Sequence, residues 1–248
     1  MQSSNPAIAV LNREAGTFNF GGTEATATVS GTANKSLLLV AVTMICGYLS
    51  MNYALQNLAT AGSTLKTIMT ISVILALIVA LVTCFKPNFS PVTAPLYAVL
   101  EGAGLGTISA FFETRYPGIV STAVMATFVV VMCMLALWKF RVIVPTAKFR
   151  AVVIGATTGI FILYILSFIL EMFGIHLLPS SGPLAIIVSV VICAVAALNL
   201  IMDFDNIQIA CDRGMPKYFE FFNAFSLLVT ICWLYIEILR LLSHLRDE

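Results

Sequence analysis

The feature that most constrains this chain is a series of seven apolar runs, each near the roughly 20 residues that an α-helix needs to cross a bilayer. The runs lie near residues 36–59, 64–85, 93–113, 118–139, 150–174, 183–204 and 218–242. Short polar breakers, most of them containing glycine or proline, separate the runs. Polar and apolar residues do not alternate within them, as they would in the strands of a membrane barrel. The sequence therefore predicts an all-α integral membrane protein, a bundle of seven transmembrane helices.

Composition excludes several other classes of protein. With 60% hydrophobic residues, 10% charged residues and a mean hydropathy of +1.00, the chain does not suit a soluble domain. A net charge of +1 without a basic patch argues against a nucleic-acid partner. The sequence lacks HExxH, GxSxG and a glycine-rich phosphate loop, and its six cysteines lack metal-ligand spacing. We expect no enzymatic activity and no resident cofactor.

The chain divides into two regions, and its basic residues predict how it lies in the membrane. Residues 1–34 are polar and predict a partly disordered tail, whereas residues 35–248 form the transmembrane domain. With the N-terminus in the cytoplasm, nine lysines and arginines fall on the cytoplasmic side and four outside. Cytoplasmic loops carry the excess of such residues, so we expect a cytoplasmic N-terminus and an external C-terminus.

A group of acids in the last two apolar runs is the candidate site. Asp203 and Asp205 lie in the stretch Ala196–Gln208, and Glu220 opens the seventh run. Ionisable groups inside membrane helices are costly and mark ion or proton paths. Asp203 and Asp205 point about 200° apart on a helix, so they cannot face the same partner. The short connection makes the last two helices antiparallel neighbours, which predicts Asp205 and Glu220 at comparable depth.

We expect Asp205 and Glu220 to form a titratable pair at the cytoplasmic mouth of the bundle. Two carboxylates brought close outside bulk water share a proton, which makes such a pair sensitive to pH. When deprotonated, the pair offers the hard oxygen ligands that suit Ca²⁺, with Asp203 nearby. The alternative remains open that the acids are solvated at the membrane surface, with Asp203 or Glu220 paired to Arg213 or Lys217.

Further polar residues are candidates for lining an ion path. Asn199 is one turn from Asp203 on the sixth helix, and Asn223 is one turn from Glu220 on the seventh. Glu101 lies about eight residues into the third run, where a carboxyl is costly unless it faces a cavity or a partner. Glu237 has Arg240 one turn on, and an ion pair that snorkels toward the interface explains it without a function.

Four motifs give the chain a resemblance to a known family. They are NPA (Asn5 to Ala7), APLYAVLEG (Ala94 to Gly102), AALNLIMDFD (Ala196 to Asp205) and PKYFEFFNAFSLLVTICWLYIEILRLL (Pro216 to Leu242). The chain resembles members of the Bax inhibitor/YccA family, the transmembrane Bax inhibitor motif proteins, and in particular a bacterial branch. The likeness runs from residue 5 to the C-terminus.

The resemblance implies a bundle of six helices around the seventh, placed in a bacterial inner membrane. It implies a pH-sensitive Ca²⁺ leak controlled by acids on helices six and seven, and by alignment of motifs these are Asp205 and Glu220. The second acid is Glu where the family pattern has Asp, and Asp203 is an extra acid. The resemblance also implies an alternative role, in which the protein regulates another membrane complex such as an ATP-dependent membrane protease without transport.

Overall fold

The computed structural model describes residues 26–174, 177, 179 and 182–247. A continuous run of helical residues, Val29–Phe85, contains the first two candidate spans, which we label α1 (Val29–Asn57) and α2 (Gly62–Phe85). The remaining helices are α3 (Ser90–Arg115), α4 (Ile119–Lys139), α5 (Ala147–Glu171), α6 (Pro183–Asp212) and α7 (Phe219–Arg246). All seven are long and apolar enough to cross a membrane, which confirms the predicted class of fold.

The chain reverses direction between α1 and α2, although the whole range Val29–Phe85 has local helical geometry. Gly47 of α1 lies against Gly106 of α3, and Ser72 of α2 lies near Gly104 of the same helix. In one straight helix, residues 47 and 72 would be separated by about 38 Å. Both contact positions on α3 that are only two residues apart, so α1 and α2 are antiparallel. The reversal falls between Asn57 and Gly62, next to the predicted breaker.

Glycines bring α1 and α3 into close contact. A Cβ atom added to Gly102 would lie 2.6 Å from the carbonyl oxygen of Thr43, and one added to Gly106 would overlap the carbonyl oxygen of Gly47. Small residues at four-residue spacing allow two membrane helices to approach closely, since their backbones can then touch. The Gly-xxx-Gly spacing of Gly102 and Gly106 in α3 is therefore a packing motif.

Helix α7 lies at the centre of the bundle. One core cluster joins α7 to α1, α2 and α3, and it contains Phe225 and Leu228. A second cluster joins α7 to α4 and α6, and it contains Leu227 and Leu234. Helix α5 reaches α7 through the side chain of Tyr164. The prediction of six helices around the seventh is confirmed.

The chain enters the bundle beside the α6–α7 connection. The backbone N–H of Ala27 donates to the carbonyl of Met215 at 2.8 Å, and the hydroxyl of Thr28 accepts from the N–H of Gly31 to cap α1. Because α1 begins at Val29, residues 29–34 of the predicted tail are helical. Residues 1–25, the rest of that tail, lie outside the described residues. We call this end of the bundle the α6–α7 loop end and the opposite one the far end; the predicted orientation in the membrane stays a prediction.

Candidate functional site

Glu220 lies in the first turn of α7 and is held by groups from the start of α1. Its side chain is only 2% exposed and forms an ion pair with Lys35. The backbone N–H and the hydroxyl of Thr28 donate to the same carboxylate at 3.0 and 2.9 Å. Gly31 makes this approach possible, because a Cβ atom there would overlap the carboxylate. The acid therefore fastens α1 to α7 at the α6–α7 loop end.

Asp205 is held in the same way by a different helix. Its carboxylate forms an ion pair with Arg150, near the start of α5. The second guanidinium nitrogen of Arg150 donates to the side-chain oxygen of Asn206 at 3.1 Å. Both members of the ion pair are largely buried, so the contact lies between helices rather than on the surface. Asp205 therefore fastens α5 to α6.

The expected direct pair between Asp205 and Glu220 is thus replaced by two separate ion pairs. Each carboxylate has a cation from a neighbouring helix, and a bonded cation stabilises the charged acid more than a second carboxylate could. The alternative of solvated acids also fails, since Glu220 is buried and pairs with Lys35. Sequence reasoning used Lys35 and Arg150 only to assign orientation. In the structure they lie six and three residues after the first residues of α1 and α5, which begin before the apolar runs at residues 36 and 150, so hydropathy gives no signal for them.

Asp203 faces α7, on the opposite side of α6 from the ion pair of Asp205. Its side chain is 7% exposed and accepts hydrogen bonds from the hydroxyls of Ser226 at 2.8 Å and Thr230 at 2.6 Å. The different partners of Asp203 and Asp205 agree with their predicted angular separation. Asn223 lies one turn before Ser226, is 6% exposed, and its Nδ2 has no partner among the described residues. The interface between α6 and α7 therefore buries an acid and an unsatisfied amide.

The two remaining candidates face other helices. The amide nitrogen of Asn199 donates to the hydroxyl of Thr157 on α5 at 2.7 Å. Asn199 and Asp203 share one side of α6 in sequence, but they contact different neighbours. Glu101 interacts with the hydroxyl of Tyr97, one turn earlier on α3. The ring of Tyr97 packs edge-on against Phe225 of α7, so Glu101 lies near the centre of the bundle.

A cavity of about 510 Å³ opens beside Asp205 at the α6–α7 loop end. Three residues of α6 line it, namely Asp205, Gln208 and Asp212. Lys139 and Arg141, from the end of α4 and the connection that follows it, also line the cavity. Carboxylate and amide oxygens are ligands that Ca²⁺ accepts, so this cavity can receive a hydrated cation next to Asp205.

A second polar cluster lies toward the far end. Glu237 of α7 is only 1% exposed and accepts from the hydroxyl of Tyr164 at 2.7 Å and from the indole N–H of Trp233 at 3.2 Å. Arg240 pairs with Glu237 at 3.3 Å and donates to the Tyr164 hydroxyl at 2.6 Å. The predicted ion pair is present; Glu237 is buried, whereas the side chain of Arg240 is 38% exposed. We call these four residues the far-end cluster.

Asp247 closes the far end outside the spans. The hydroxyl of Tyr116 donates to its carboxylate, and Arg115 forms an ion pair with it at 3.3 Å. The hydrogen bond from Tyr116, helped by the charge of Arg115, holds the pKa of Asp247 below its ordinary value. The same carboxylate raises the pKa of the Tyr116 hydroxyl. These contacts tie the end of α7 to the connection between α3 and α4.

Comparison with known proteins relates almost the whole chain to one family. A family model described as Bax inhibitor 1 like matches residues 5–247. The match includes all seven spans and every residue of the candidate site. In the comparisons with curated proteins and with solved structures, nothing matches the chain significantly.

Proposed function

We propose that this chain, which belongs to the Bax inhibitor 1 like family, is a pH-sensitive cation leak. Ca²⁺ is the main cation that we expect it to conduct. The proposal rests on the two ion pairs at the α6–α7 loop end. Glu220 fastens α1 to α7 through Lys35, and Asp205 fastens α5 to α6 through Arg150. Both ties require an ionised acid. Protonation of either carboxylate removes one of the charges that hold the end closed.

The polar groups deeper in the bundle favour a cation over an anion as the conducted ion. The cavity at the mouth is lined by two carboxylate residues and an amide residue of α6, Asp205, Asp212 and Gln208. Asp203 lies further into the bundle, with Asn223 on the facing helix. A buried carboxylate with hydroxyl partners and no cationic partner among the described residues favours the approach of a positive charge. Glu101 is the corresponding candidate between α3 and α7.

Acidification is expected to open the leak. At neutral pH the ionised forms of Asp205 and Glu220 keep Arg150 and Lys35 in place, so α5 and α1 stay attached at the mouth. A proton on each acid cancels its ion pair, and α1 and α5 then lose a contact at the mouth. The leak should therefore rise as the pH on that side falls.

Flux into liposomes that contain a Ca²⁺-sensitive dye tests the proposal. Asp205→Asn and Glu220→Gln mimic the protonated acids, so each should raise flux at neutral pH and flatten its dependence on pH. Glu171→Gln is the matched control, because Glu171 is an exposed carboxylate at the far end of α5. Flux that is absent at every pH, or that is the same in both site variants as in the parent protein, would overturn the proposal.

The alternative role, a regulator that binds a membrane protease without transport, rests on the resemblance of the sequence and makes a different prediction. A regulator that docks through its polar tail should lose binding when residues 2–25 are deleted, whereas a leak should keep its flux. The deletion must stop at residue 25, because Ala27 and Thr28 contact Met215 and Glu220. Flux that survives in the truncated protein together with unchanged binding would exclude this version of the alternative.

A further inference from the structure

Helix α5 is the least embedded helix of the bundle. Its backbone comes close mainly to that of α6, and Val153 is its one buried residue among those described. None of its described residues belongs to the core clusters that hold the other helices around α7. Its large apolar side chains, such as Val152 and Phe168, are exposed and suit contact with lipid. Apolar packing therefore contributes little to holding α5 in place.

Three polar contacts attach α5 instead, and they are spaced by seven residues. Arg150 binds Asp205, Thr157 accepts from Asn199, and Tyr164 donates to Glu237. Seven residues make nearly two helical turns, so the three side chains lie on one face of α5. Because lipid tails are as apolar as leucine, apolar contacts alone do not favour another helix over lipid as a neighbour. Polar contacts such as these three do. We call them the three ties of α5.

The partners of the three ties form a polar row across the bundle. Asp205 lies at the α6–α7 loop end, Asn199 is about 9 Å further along α6, and Glu237 lies on α7 toward the far end. Helix α5 covers all three. Removal of α5 from this face would uncover a carboxylate, an amide and a second carboxylate in succession from one end of the bundle toward the other. Such a row is costly in lipid and suits a hydrated cation.

We propose that the cation path of the proposed function runs beneath α5 along this row, that Glu237 is its far-end ligand, and that α5 is the wall that moves to open it. This inference rests on the proposed function. Non-helical connections bound α5 on both sides, at residues 140–146 and 172–174, so the helix can shift without unwinding its neighbours. Arg240 and Tyr164 close the far end in the resting arrangement because they occupy the Glu237 carboxylate.

Release of the ties depends on groups that surround the two acids. The titratable and charged groups near Asp205 are Arg150 on α5, Lys139 and Arg141 at the α4–α5 connection, and Asp212 on α6. Those near Glu237 are Tyr164 on α5, Cys193 on α6, and Arg240 and His244 on α7. Protonation of Asp205 removes its tie to Arg150 and leaves that guanidinium without its counter-charge. The loop end of α5 should therefore move first.

A disulfide between α5 and α6 tests the proposal directly. In a background in which the six natural cysteines are replaced by alanine, Thr157→Cys and Asn199→Cys put two thiols at the middle tie. The oxidised protein should lose Ca²⁺ flux at acidic pH to the level of protein-free liposomes, and reduction should restore it. The control disulfide joins Ser50→Cys and Thr107→Cys, whose hydroxyls are 3.0 Å apart between α1 and α3. The control should conduct equally when oxidised and reduced.

Distances between spin labels separate this inference from the proposed function. One spin label is attached at the exposed Val152 of α5 and one at the exposed Leu37 of α1. The distance between them is measured in nanodiscs at neutral and acidic pH, and again in the Asp205→Asn variant. We expect a shift of about one helical pitch, near 5 Å. A reference pair at Leu37 and Val92 should not change. Unchanged distances for α5, or full flux through the oxidised protein that carries the α5–α6 disulfide, would overturn the inference while the proposed function stands. Absence of flux from the parent protein would overturn the proposed function and the cation path with it, whatever the distances show.

Discussion

The ion pair between Lys35 and Glu220 offers the sharpest test of how this bundle is held together. Lys35→Met keeps an aliphatic stem of similar length but removes the ammonium group, which also lies 4.9 Å from the centre of the Phe221 ring. Glu220 stays buried, and its carboxylate then retains only the two hydrogen bonds from Thr28. A buried charge without its partner is expensive, because water replaces the lost contact only in part.

The expected cost follows from burial. Loss of one partner from a fully buried ion pair costs about 3–5 kcal/mol. The side chain of Lys35 is 20% exposed, so some water reaches the vacated site, and we expect about 2–3 kcal/mol for Lys35→Met. Glu220→Gln should cost about 1 kcal/mol, since the amide oxygen still accepts from Thr28 and Lys35 can turn toward water. The double variant should be less unstable than the sum of the two, with a coupling energy of about 1–2 kcal/mol.

Reversible unfolding in mixed micelles of increasing denaturing detergent measures these differences. Lys66→Met is the matched control, because Lys66 is exposed on α2, and it should leave the free energy of unfolding unchanged. Additive effects of Lys35→Met and Glu220→Gln would show that the two side chains do not depend on each other. That result would refute the description of Glu220 as the tie between α1 and α7.

Two further predictions concern packing and pH. Gly106→Ala should destabilise the bundle by about 1–3 kcal/mol, since the new Cβ would overlap the carbonyl of Gly47, whereas Gly155→Ala, with open space around it, should be neutral in the same unfolding assay. Tyr116→Phe should raise the pKa of Asp247 toward its ordinary value of about 3.9, because the hydroxyl that lowers it is gone. The stabilising contact of Asp247 is therefore present above that ordinary pKa and is lost as the pH falls through the lower pKa of the folded protein. A carboxyl titration followed by ¹³C NMR, with no difference between parent and variant, would contradict this assignment.

Local pattern was enough to place the spans and to find the acids. Length and hydropathy predict each helix because a backbone in lipid must satisfy its own hydrogen bonds. Helical periodicity also separates Asp203 from Asp205, and the structure gives them partners on α7 and α5 respectively. The first helix begins earlier than its apolar run, at Val29, because Thr28 provides a cap that hydropathy does not register.

The partners of the acids could not be predicted in the same way. Lys35 is separated from Glu220 by 185 residues and Arg150 from Asp205 by 55, so no local spacing connects them. The sequence suggested that Asp205 and Glu220 would meet, because they lie on consecutive antiparallel helices. In the structure each acid faces a third helix instead. Two helices can be neighbours in a bundle while their polar faces point toward other helices.

The sequence by itself determined that this chain crosses a membrane seven times, that α3 carries a Gly-xxx-Gly spacing, and that acids lie in α6 and α7. Only the tertiary structure decided which cation each acid binds, that Glu237 is buried, and that α5 is attached by three polar ties. The physical reason is that lipid and apolar side chains are nearly equivalent surroundings for a membrane helix. Hydropathy therefore fixes where helices are, whereas polar contacts and close packing fix which helices are neighbours.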